Sequence, residues 1–370
     1  MSEIVEKIAA EIRCEGTISF ARFMEMALYC PDYGFYEKEK DKIGQSGDFF
    51  TSVSVGGLFG ELLAFQFAEW LETGQGADIR IVEAGAHDGQ LAADILAWLH
   101  ARGEQLFSRL KYCIVEPSAR RRQWQQAKLA GFPETVVWIP ELSALNETSA
   151  SSETIIFSNE LLDALPVHRL AWDAQAKKWF EWGVTWEGGR FAWSRMNDAN
   201  NHVSRFTFHM PELEKLLGVL PDGFTTEVCP AAETWWREAA AVLKRGRLMA
   251  IDYGLSAEEF FAPQRREGTL RAYHRHQVSR DLLANPGGQD LTAHVNFTAL
   301  QSVGEAAGLV TRAMISQAKF LTQITEQAWK RADVFGEWNS NRTRQFQTLT
   351  HPEHLGRPFR VLVQARQAGA

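Results

Sequence analysis

Acidic and amide side chains follow several short apolar runs of this sequence, at positions where strands would end. They are Glu83, Glu116, Asn159, Glu160 and the pair Asp252-Tyr253. In an open α/β sheet, ligands bind beyond the carboxyl ends of the strands, so these side chains are expected to converge there. Carboxylates in such a place can bind cationic groups or hydroxyl groups. The pattern therefore predicts one ligand site built from several strand ends.

The first of these strand ends leads into a glycine turn, in the run Ile79-Arg-Ile-Val-Glu-Ala-Gly-Ala-His-Asp-Gly-Gln-Leu91. A strand, a glycine turn and a helix beginning near Gln90 would point free backbone N–H groups and the positive helix end at a ligand. The spacing of Gly85 and Gly89 differs from the G-x-G-x-x-G of dinucleotide-binding enzymes. Glu83 before the turn favours a ligand with a cationic group as well as a carboxylate, as in S-adenosylmethionine.

Two later strand ends carry further candidates. Glu116 lies where an acid would accept both ribose hydroxyls of a nucleoside, although it could also be a solvated strand end or an N-cap. Asn159-Glu160, followed by Asp163 and Pro166, could bind and desolvate an amine nucleophile, and carboxylates could hold an arginine guanidinium bidentately. Asn159 and Glu160 could instead cap the next helix.

His294 is a candidate base within the run Asp290-Leu-Thr-Ala-His-Val-Asn-Phe297, where Asp290 and Thr292 could orient its imidazole. A structural histidine is the alternative interpretation. The sequence has no His/Asp/Glu cluster with metal-ligand spacing, so no metal site is predicted. It also lacks the G-x-S-x-G elbow of hydrolases and the Walker loop.

The elements that must position these residues alternate between strand and helix. Short apolar runs at 79–83, 112–115, 136–139 and 154–160 are separated by helical patterns, which predicts a parallel sheet covered on both faces. Residues 167–228 instead alternate apolar and polar positions between turn residues, which predicts antiparallel hairpins. A helix over 231–244, a strand over 248–254, a helix over 297–307 and two strands near 311–319 and 358–366 complete the pattern.

The sequence therefore predicts an α/β fold with an N-terminal helical region and a β-rich insertion. The predicted divisions are a helical lid region over 1–75, a core over 76–166 and 230–370, and an inserted region over 167–229.

Composition narrows the class of protein further. The 370 residues are 45% hydrophobic and 23% charged, which is typical of a globular protein. A net charge of −7 gives no general attraction for nucleic acid. No window approaches 18 uninterrupted apolar residues, so no membrane span is expected. Four cysteines without a C-x-x-C pair, and no hydrophobic signal segment, predict a cytoplasmic protein with reduced thiols.

Taken in order, several segments resemble the MidA-like family, which comprises the mitochondrial complex I assembly arginine methyltransferase and its bacterial relatives. The resemblance covers most of the chain. The segments that carry it include Ile18-Ser-Phe-Ala-Arg-Phe-Met24, Pro31-Asp-Tyr-Gly-Phe-Tyr36, Gly47-Asp-Phe-Phe-Thr-Ser52, Val115-Glu-Pro-Ser118, Ser158-Asn-Glu160, Asp163-Ala-Leu-Pro166, Ile251-Asp-Tyr-Gly254, Gly268-Thr-Leu-Arg271 and Asp290-Leu-Thr-Ala-His-Val295.

The resemblance implies a class I, Rossmann-like methyltransferase fold with S-adenosyl-L-methionine as cofactor. It implies methyl transfer to an arginine of a protein substrate, such as a subunit of respiratory complex I. Gly85 and Gly89 would form the cofactor turn and Glu116 would bind the ribose. Asn159-Glu160 would be the catalytic strand end, to which Asp163 and His294 are added as candidates. Gly47, Asp48, Phe49 and Thr51 would fold over the cofactor as part of the lid.

This sequence departs from the family pattern at two places. The family turn usually reads like E-L-G-P-G-R-G-T-L, whereas His87 stands at its central glycine. If the turn needs a positive φ there, histidine costs on the order of 1 kcal/mol. The family's Pro-Glu after Thr-Ser is replaced by Val53-Ser54, which removes an acid beside the expected site.

Three functions follow as hypotheses: a protein-arginine methyltransferase, a catalytically weak relative that binds a respiratory-chain subunit during assembly, and an NAD-dependent oxidoreductase. The glycine spacing disfavours the third. A homodimer is a further expectation, for which no residue gives a specific signal.

Overall fold

The computed structural model describes residues 2–38, 51–72, 78–147, 152–197, 203–210, 213–274, 277–279 and 281–366. Its helices are α1 (Glu3–Glu15), α2 (Phe20–Tyr29), α3 (Leu58–Glu72), α4 (Gln90–Arg102), α5 (Glu104–Phe107), α6 (Ala119–Lys128), α7 (Leu213–Leu217), α8 (Pro230–Val242), α9 (Ala257–Phe260), α10 (Phe297–Ala306), α11 (Gln317–Lys330), α12 (Ala332–Phe335) and α13 (Ser340–Thr350).

Its strands are β1 (Ile18–Ser19), β2 (Ile79–Ala84), β3 (Leu110–Val115), β4 (Val136–Ile139), β5 (Glu153–Asn159), β6 (His168–Asp173), β7 (Lys178–Glu187), β8 (Arg190–Arg195), β9 (Thr225–Val228), β10 (Gly246–Leu255), β11 (Arg271–His274), β12 (Gln277–Ser279), β13 (Asp290–Thr292), β14 (Val295–Asn296), β15 (Val310–Ser316) and β16 (Phe359–Arg366).

The chain divides into two compact units. The first comprises Met1–Glu39, Leu162–Thr234 and Gly254–Ser302. The second comprises Lys40–Leu161, Trp235–Tyr253 and Val303–Ala370.

The second unit contains a mostly parallel sheet in the order β15-β16-β10-β5-β2-β3-β4. The pairings from β10 through β4 are parallel, whereas β16 pairs antiparallel with both β10 and β15. All seven residues of β5 are buried, as expected for a strand covered on both faces. A large apolar core on one side of this sheet includes residues of α3, α4 and α11. The predicted α/β fold class is therefore confirmed.

Helix α4 illustrates why the sequence folds in this way. Its buried residues include Leu91, Ile95 and Leu99, which recur every four positions and form one apolar face. Helix α3 is buried along most of its length, including Phe59, Leu63 and Phe67. The helices α11, α12 and α13 lie between the two final strands, where the sequence analysis assigned no helix.

The first unit contains an antiparallel sheet in the order β1-β7-β6-β9, with β8 paired to β7. The hairpins predicted over 167–228 are thus present. A second, three-stranded sheet has the order β12-β11-β13 and lies between residues 271 and 292, where no strand was predicted from the sequence. One apolar cluster includes side chains of α1 and α2, and another gathers Trp172, Phe224 and Phe261. Within the described ranges, no helix has the length and apolar character needed to cross a bilayer.

Candidate active site

In the turn between β2 and α4, every second residue from Gly85 to Gly89 has a positive φ. The φ angles of Gly85, His87 and Gly89 are +81°, +46° and +87°. The turn therefore does need a positive φ at the position where the family pattern has its central glycine. His87 adopts this conformation, at a cost on the order of 1 kcal/mol.

Gly85 is required by space as well as by backbone conformation. A Cβ atom at this position would lie 3.0 Å from the Cβ of Leu161, the residue that follows Asn159-Glu160. The absence of a side chain thus lets the turn pack directly against the segment after β5. Two of the predicted strand ends, after β2 and after β5, are in this way held together.

The start of α4 is ordered by local hydrogen bonds. Gly89 N–H donates to the Ala86 carbonyl at 2.7 Å, and Gln90 N–H donates to Asp88 Oδ1 at 3.0 Å. Lys128 Nζ, from α6, lies 3.3 Å from Asp88 Oδ2. The helix N-terminus follows the turn directly, which is the arrangement that favours an anionic group of a ligand.

Glu83, at the end of β2, is a buried carboxyl group with 2% of its surface exposed. Tyr112 Oη donates to its Oε2 at 2.7 Å. Burial raises the pKa of Glu83 to about 7, and the neighbouring acid Asp88 acts in the same direction. A cation supplied by a ligand would lower this pKa and favour the charged form. The chemistry of Glu83 therefore suits a ligand with a cationic group.

Glu116, after β3, is also buried and is held by three donors. Its Oε1 accepts from Ser118 N at 2.9 Å and from Arg121 Nε at 3.0 Å, and its Oε2 accepts from Gln125 Nε2 at 2.9 Å. A carboxylate offers about four acceptor positions, so hydroxyl groups of a ligand would share Glu116 with these partners. The solvated strand end considered from the sequence is not what the structure has.

Gln125 is a residue of this region that the sequence analysis missed. It is fully buried on α6, and its Nε2 donates to both the His87 carbonyl and Glu116. Its Oε1 accepts from Trp138 Nε1 at 3.0 Å. Gln125 is one of three glutamines in a short polar helix, and nothing in the local pattern marks it as the inward-facing one.

The end of β5 carries Glu160 with a φ of +52°. Its backbone N–H donates to the Ile251 carbonyl at 2.9 Å, and the next N–H, of Leu161, donates to Asp252 Oδ2 at 3.1 Å. Bonds to the end of β10 therefore hold this strained residue in place. Strain of this kind, maintained by its surroundings, is common at functional sites.

The side chains of Asn159 and Glu160 are hydrogen-bonded to each other. Asn159 Nδ2 donates to Glu160 Oε1 at 3.2 Å, and Ser52 N donates to the same oxygen at 3.0 Å. Asn159 Oδ1 is buried and has no hydrogen-bond donor within the part of the chain that the structure describes. These hydrogen bonds join the two side chains to each other and to the backbone of Ser52, which differs from the helix cap considered from the sequence.

Three of the four predicted lid residues, Gly47, Asp48 and Phe49, lie outside the described residues. Thr51 is described, and it forms a tight turn in which Ser54 N donates to its Oγ1 at 3.1 Å. Ser52 is fully buried, and its Oγ donates to Gln317 Oε1 at 3.2 Å. Thr51 and Ser52, the last two residues of the family segment that begins at Gly47, are thus both held by hydrogen bonds.

Asp163 and His294 belong to the first unit, where the structure brings their segments together. Ala293 N donates to the Asp163 carbonyl at 2.9 Å, and His294 N donates to Thr269 Oγ1 at 3.1 Å. Burial, with Arg271 and Arg265 nearby, lowers the pKa of His294 to about 4, so its imidazole is neutral near pH 7. Asp290 accepts from Tyr36 Oη at 2.9 Å, whereas the sequence analysis considered it as a partner of His294.

Thr269 is in turn fixed by Glu227, another residue that the sequence analysis missed. Thr269 N and Oγ1 donate to Glu227 Oε2 at 2.7 and 2.9 Å. A Cβ at Gly268 would lie 2.1 Å from Glu227 Oε1, so the glycine is needed for this contact. The motif segments at 268–271 and 290–295 therefore meet at the Thr269 hydroxyl, which the Glu227 carboxyl group holds in place.

Comparison with known proteins places this geometry in a family. Residues 62–315 match the family described as "Putative S-adenosyl-L-methionine-dependent methyltransferase". A solved protein from Burkholderia thailandensis, described as a "likely methyl transferase" bound to S-adenosyl-homocysteine, is 31% identical. It has a TM-score of 0.81, and the match covers 99% of this chain and 92% of that one.

Curated relatives are more distant, and their matches also cover most of this chain. The mitochondrial protein arginine methyltransferase NDUFAF7 of Danio rerio is 26% identical over 99% of this chain and 88% of its own length. The Homo sapiens protein of the same name is 26% identical over 88% of this chain and 74% of its own.

These relatives correct one expectation. Both are named mitochondrial proteins, which contradicts the cytoplasmic location predicted from the sequence, and that prediction was wrong. It rested on the lack of a hydrophobic signal segment and on the cysteine pattern. Segments that target proteins to mitochondria are amphipathic, so the lack of a hydrophobic segment does not separate the two locations.

The family model spans most of the chain and the solved relative covers nearly all of it. The family segments at 115–118, 158–160 and 251–254 lie at the carboxyl ends of β3, β5 and β10 of the expected sheet. The chain therefore belongs to the MidA-like family of S-adenosyl-L-methionine-dependent methyltransferases.

Proposed function

We propose that the chain transfers a methyl group to an arginine side chain of a protein substrate, such as a subunit of respiratory complex I. The names of the relatives, protein arginine methyltransferases, support the acceptor class. The observation that carries the proposal is the pair Asn159-Glu160, which combines a carboxylate with a buried amide oxygen to which none of the described residues donates.

The residues around the glycine turn fit S-adenosyl-L-methionine. Glu83 would hold its ammonium group, the N-terminus of α4 its carboxylate, and Glu116 its ribose hydroxyls, with Gly85 and Gly89 shaping the turn. The fit rests on Glu83, a buried carboxyl group whose charged form a cation would favour. When bound, the cofactor supplies an electrophilic methyl group on a sulfonium. Thr51, with Gly47, Asp48 and Phe49, is proposed to cover this site.

Asn159 and Glu160 are proposed to act on the acceptor. Because Asn159 Nδ2 donates to Glu160, its amide is oriented and Oδ1 is left to accept an N–H. A neutral oxygen can orient a nitrogen nucleophile through its N–H without occupying the nitrogen lone pair. The Glu160 carboxylate can attract the guanidinium and so help to hold it in place. Asp163 and His294 stay candidates for the same step.

The proposal is tested by incubating the full chain with methyl-labelled S-adenosyl-L-methionine and arginine-containing peptides, including peptides of complex I subunits. A matched set has every arginine replaced by lysine. We expect label on arginine peptides only, located by mass spectrometry. Label on lysine or on carboxylate side chains, or none with any peptide, would contradict arginine methylation.

A second candidate function is supported by His87 and by Val53-Ser54. In this alternative the chain is a catalytically weak protein that binds a respiratory-chain subunit during assembly. It predicts that subunit binding persists while no methylarginine forms. A pull-down with a complex I subunit, together with the labelling assay, separates the two functions.

We also propose that the chain divides into three regions, which are 1–75, 76–166 with 230–370, and 167–229. We further propose that it assembles as a homodimer. Light scattering of the purified chain tests the second.

A further inference from the structure

The amide of Gln125 is fully used in hydrogen bonds. Its two N–H groups donate to the His87 carbonyl at 3.0 Å and to Glu116 Oε2 at 2.9 Å. Its oxygen accepts from the indole N–H of Trp138 at 3.0 Å. A flipped amide would place its oxygen against two acceptors and its N–H groups against a donor, so only one orientation satisfies all partners.

The two acceptors of Gln125 belong to different parts of the site. His87 lies in the turn after β2 with its φ at +46°, and Glu116 follows the neighbouring strand β3. A residue other than glycine keeps a positive φ only when its surroundings hold it there. The bond to the His87 carbonyl is one such constraint, and it is made by the same amide that fixes Glu116.

We propose that Gln125 is a positioning residue for the cofactor, which holds the glycine turn and the ribose-binding acid in register through His87 and Glu116. The inference rests on the cofactor site proposed above. It gives Gln125 a role that filling the core does not require, since an apolar side chain of similar length would occupy the same volume. It also accounts for a histidine at the central position of the turn, because Gln125 holds the backbone that glycine would adopt unaided.

The test compares Gln125→Met with Gln126→Met, a control at the exposed neighbouring position on α6. The affinity for S-adenosylhomocysteine is measured by calorimetry, and thermal unfolding is recorded for each variant. We expect Gln125→Met to weaken binding roughly tenfold, since a hydrogen bond to a charged group is lost, and Gln126→Met to bind like the unmodified chain.

A variant at position 87 distinguishes a positioning role of Gln125 from a packing role. In the His87→Gly background the turn adopts a positive φ without strain, so Gln125→Met should weaken binding less, roughly threefold. If Gln125→Met unfolds, Trp138→Phe is used instead. It removes the donor to the Gln125 oxygen, so the amide is held less firmly and binding is expected to weaken a few-fold.

The inference would be overturned if the variant used binds S-adenosylhomocysteine as tightly as the unmodified chain. It would also be overturned if the variant loses the same affinity with histidine and with glycine at position 87. Either result would leave the cofactor site intact. No binding by the unmodified chain would overturn both.

Discussion

Tyr112 donates its hydroxyl group to the Glu83 carboxyl at 2.7 Å, and both side chains are buried. This single bond offsets only part of the burial of Glu83, because the pKa of the carboxyl is still raised to about 7. The strand end beside the cofactor turn therefore holds a group that gains or loses its charge near neutral pH.

Glu83 should make the stability of the free protein depend on pH. Its pKa is about 7 in the folded chain and 4.5 as the ordinary value, so the folded state binds more protons between these limits. Stability is therefore fully present below pH 4.5 and is lost as the pH rises to about 7. Relative to Glu83→Gln, the unmodified chain should lose on the order of 3 kcal/mol over this window, measured by urea unfolding.

Tyr112→Phe provides the matched variant for this prediction. Removing the hydroxyl donor takes away an interaction that lowers the pKa of Glu83, so the upper end of the window should move to higher pH. A constant difference between the unmodified chain and Glu83→Gln from pH 4 to 8 would contradict the account.

The backbone at His87 should favour glycine over alanine. With φ at +46°, His87→Gly is expected to be more stable than His87→Ala by about 1 kcal/mol, because only glycine adopts this conformation without strain. The control pair is at His100, which is exposed in the regular helix α4. There the order should reverse, with glycine less stable by about 1 kcal/mol. The same order at both positions would show that His87 is not strained.

Gly85→Ala should be more damaging than alanine at an unobstructed glycine. Both Gly85 and Gly223 have positive φ, but a Cβ meets Leu161 at 3.0 Å in the first case and nothing within 4 Å in the second. We expect a loss of at least about 2 kcal/mol for Gly85→Ala and about 1 kcal/mol for Gly223→Ala, measured by chemical unfolding. Adding Leu161→Ala should recover part of the first loss beyond its own effect. Equal losses at the two glycines would rule out the steric contribution.

Asn159→Leu should separate cofactor binding from methyl transfer. Leucine has a similar size but no acceptor oxygen, so kcat should fall at least about a hundredfold while the affinity for S-adenosylhomocysteine changes less than about twofold. The control is Asn341→Leu, on α13 and away from the strand ends, which should leave kcat unchanged. A variant that keeps its kcat would remove Asn159 from the proposed step.

The strand ends were predictable because the strands of a parallel sheet are buried on both faces and so appear in the sequence as continuous apolar runs. Glu83, Glu116 and Asn159 each follow such a run. The positive φ at His87 was also accessible, since a family pattern marked the position. Gln125 was not, because α6 is mostly polar and only the contacts of Gln125 with His87, Glu116 and Trp138 decide which glutamine turns inward. Helix α13 was missed for a similar reason: it buries little of its surface, and its place depends on the second unit's core. Helix α11, in contrast, buries apolar residues at helical spacing and was accessible from the sequence.

The backbone conformation of Glu160 lowers the free energy of unfolding of this molecule, but it places the Glu160 carboxylate beside Asn159. Any L-amino acid at this position meets a backbone penalty at a φ of +52°, which is smaller for asparagine and aspartate, and only glycine would escape it. Stabilisation guided by backbone geometry alone would select Glu160→Gly, and this change would delete the carboxylate that orients Asn159. At this strand end, resistance to unfolding and chemical competence are opposing demands on one residue.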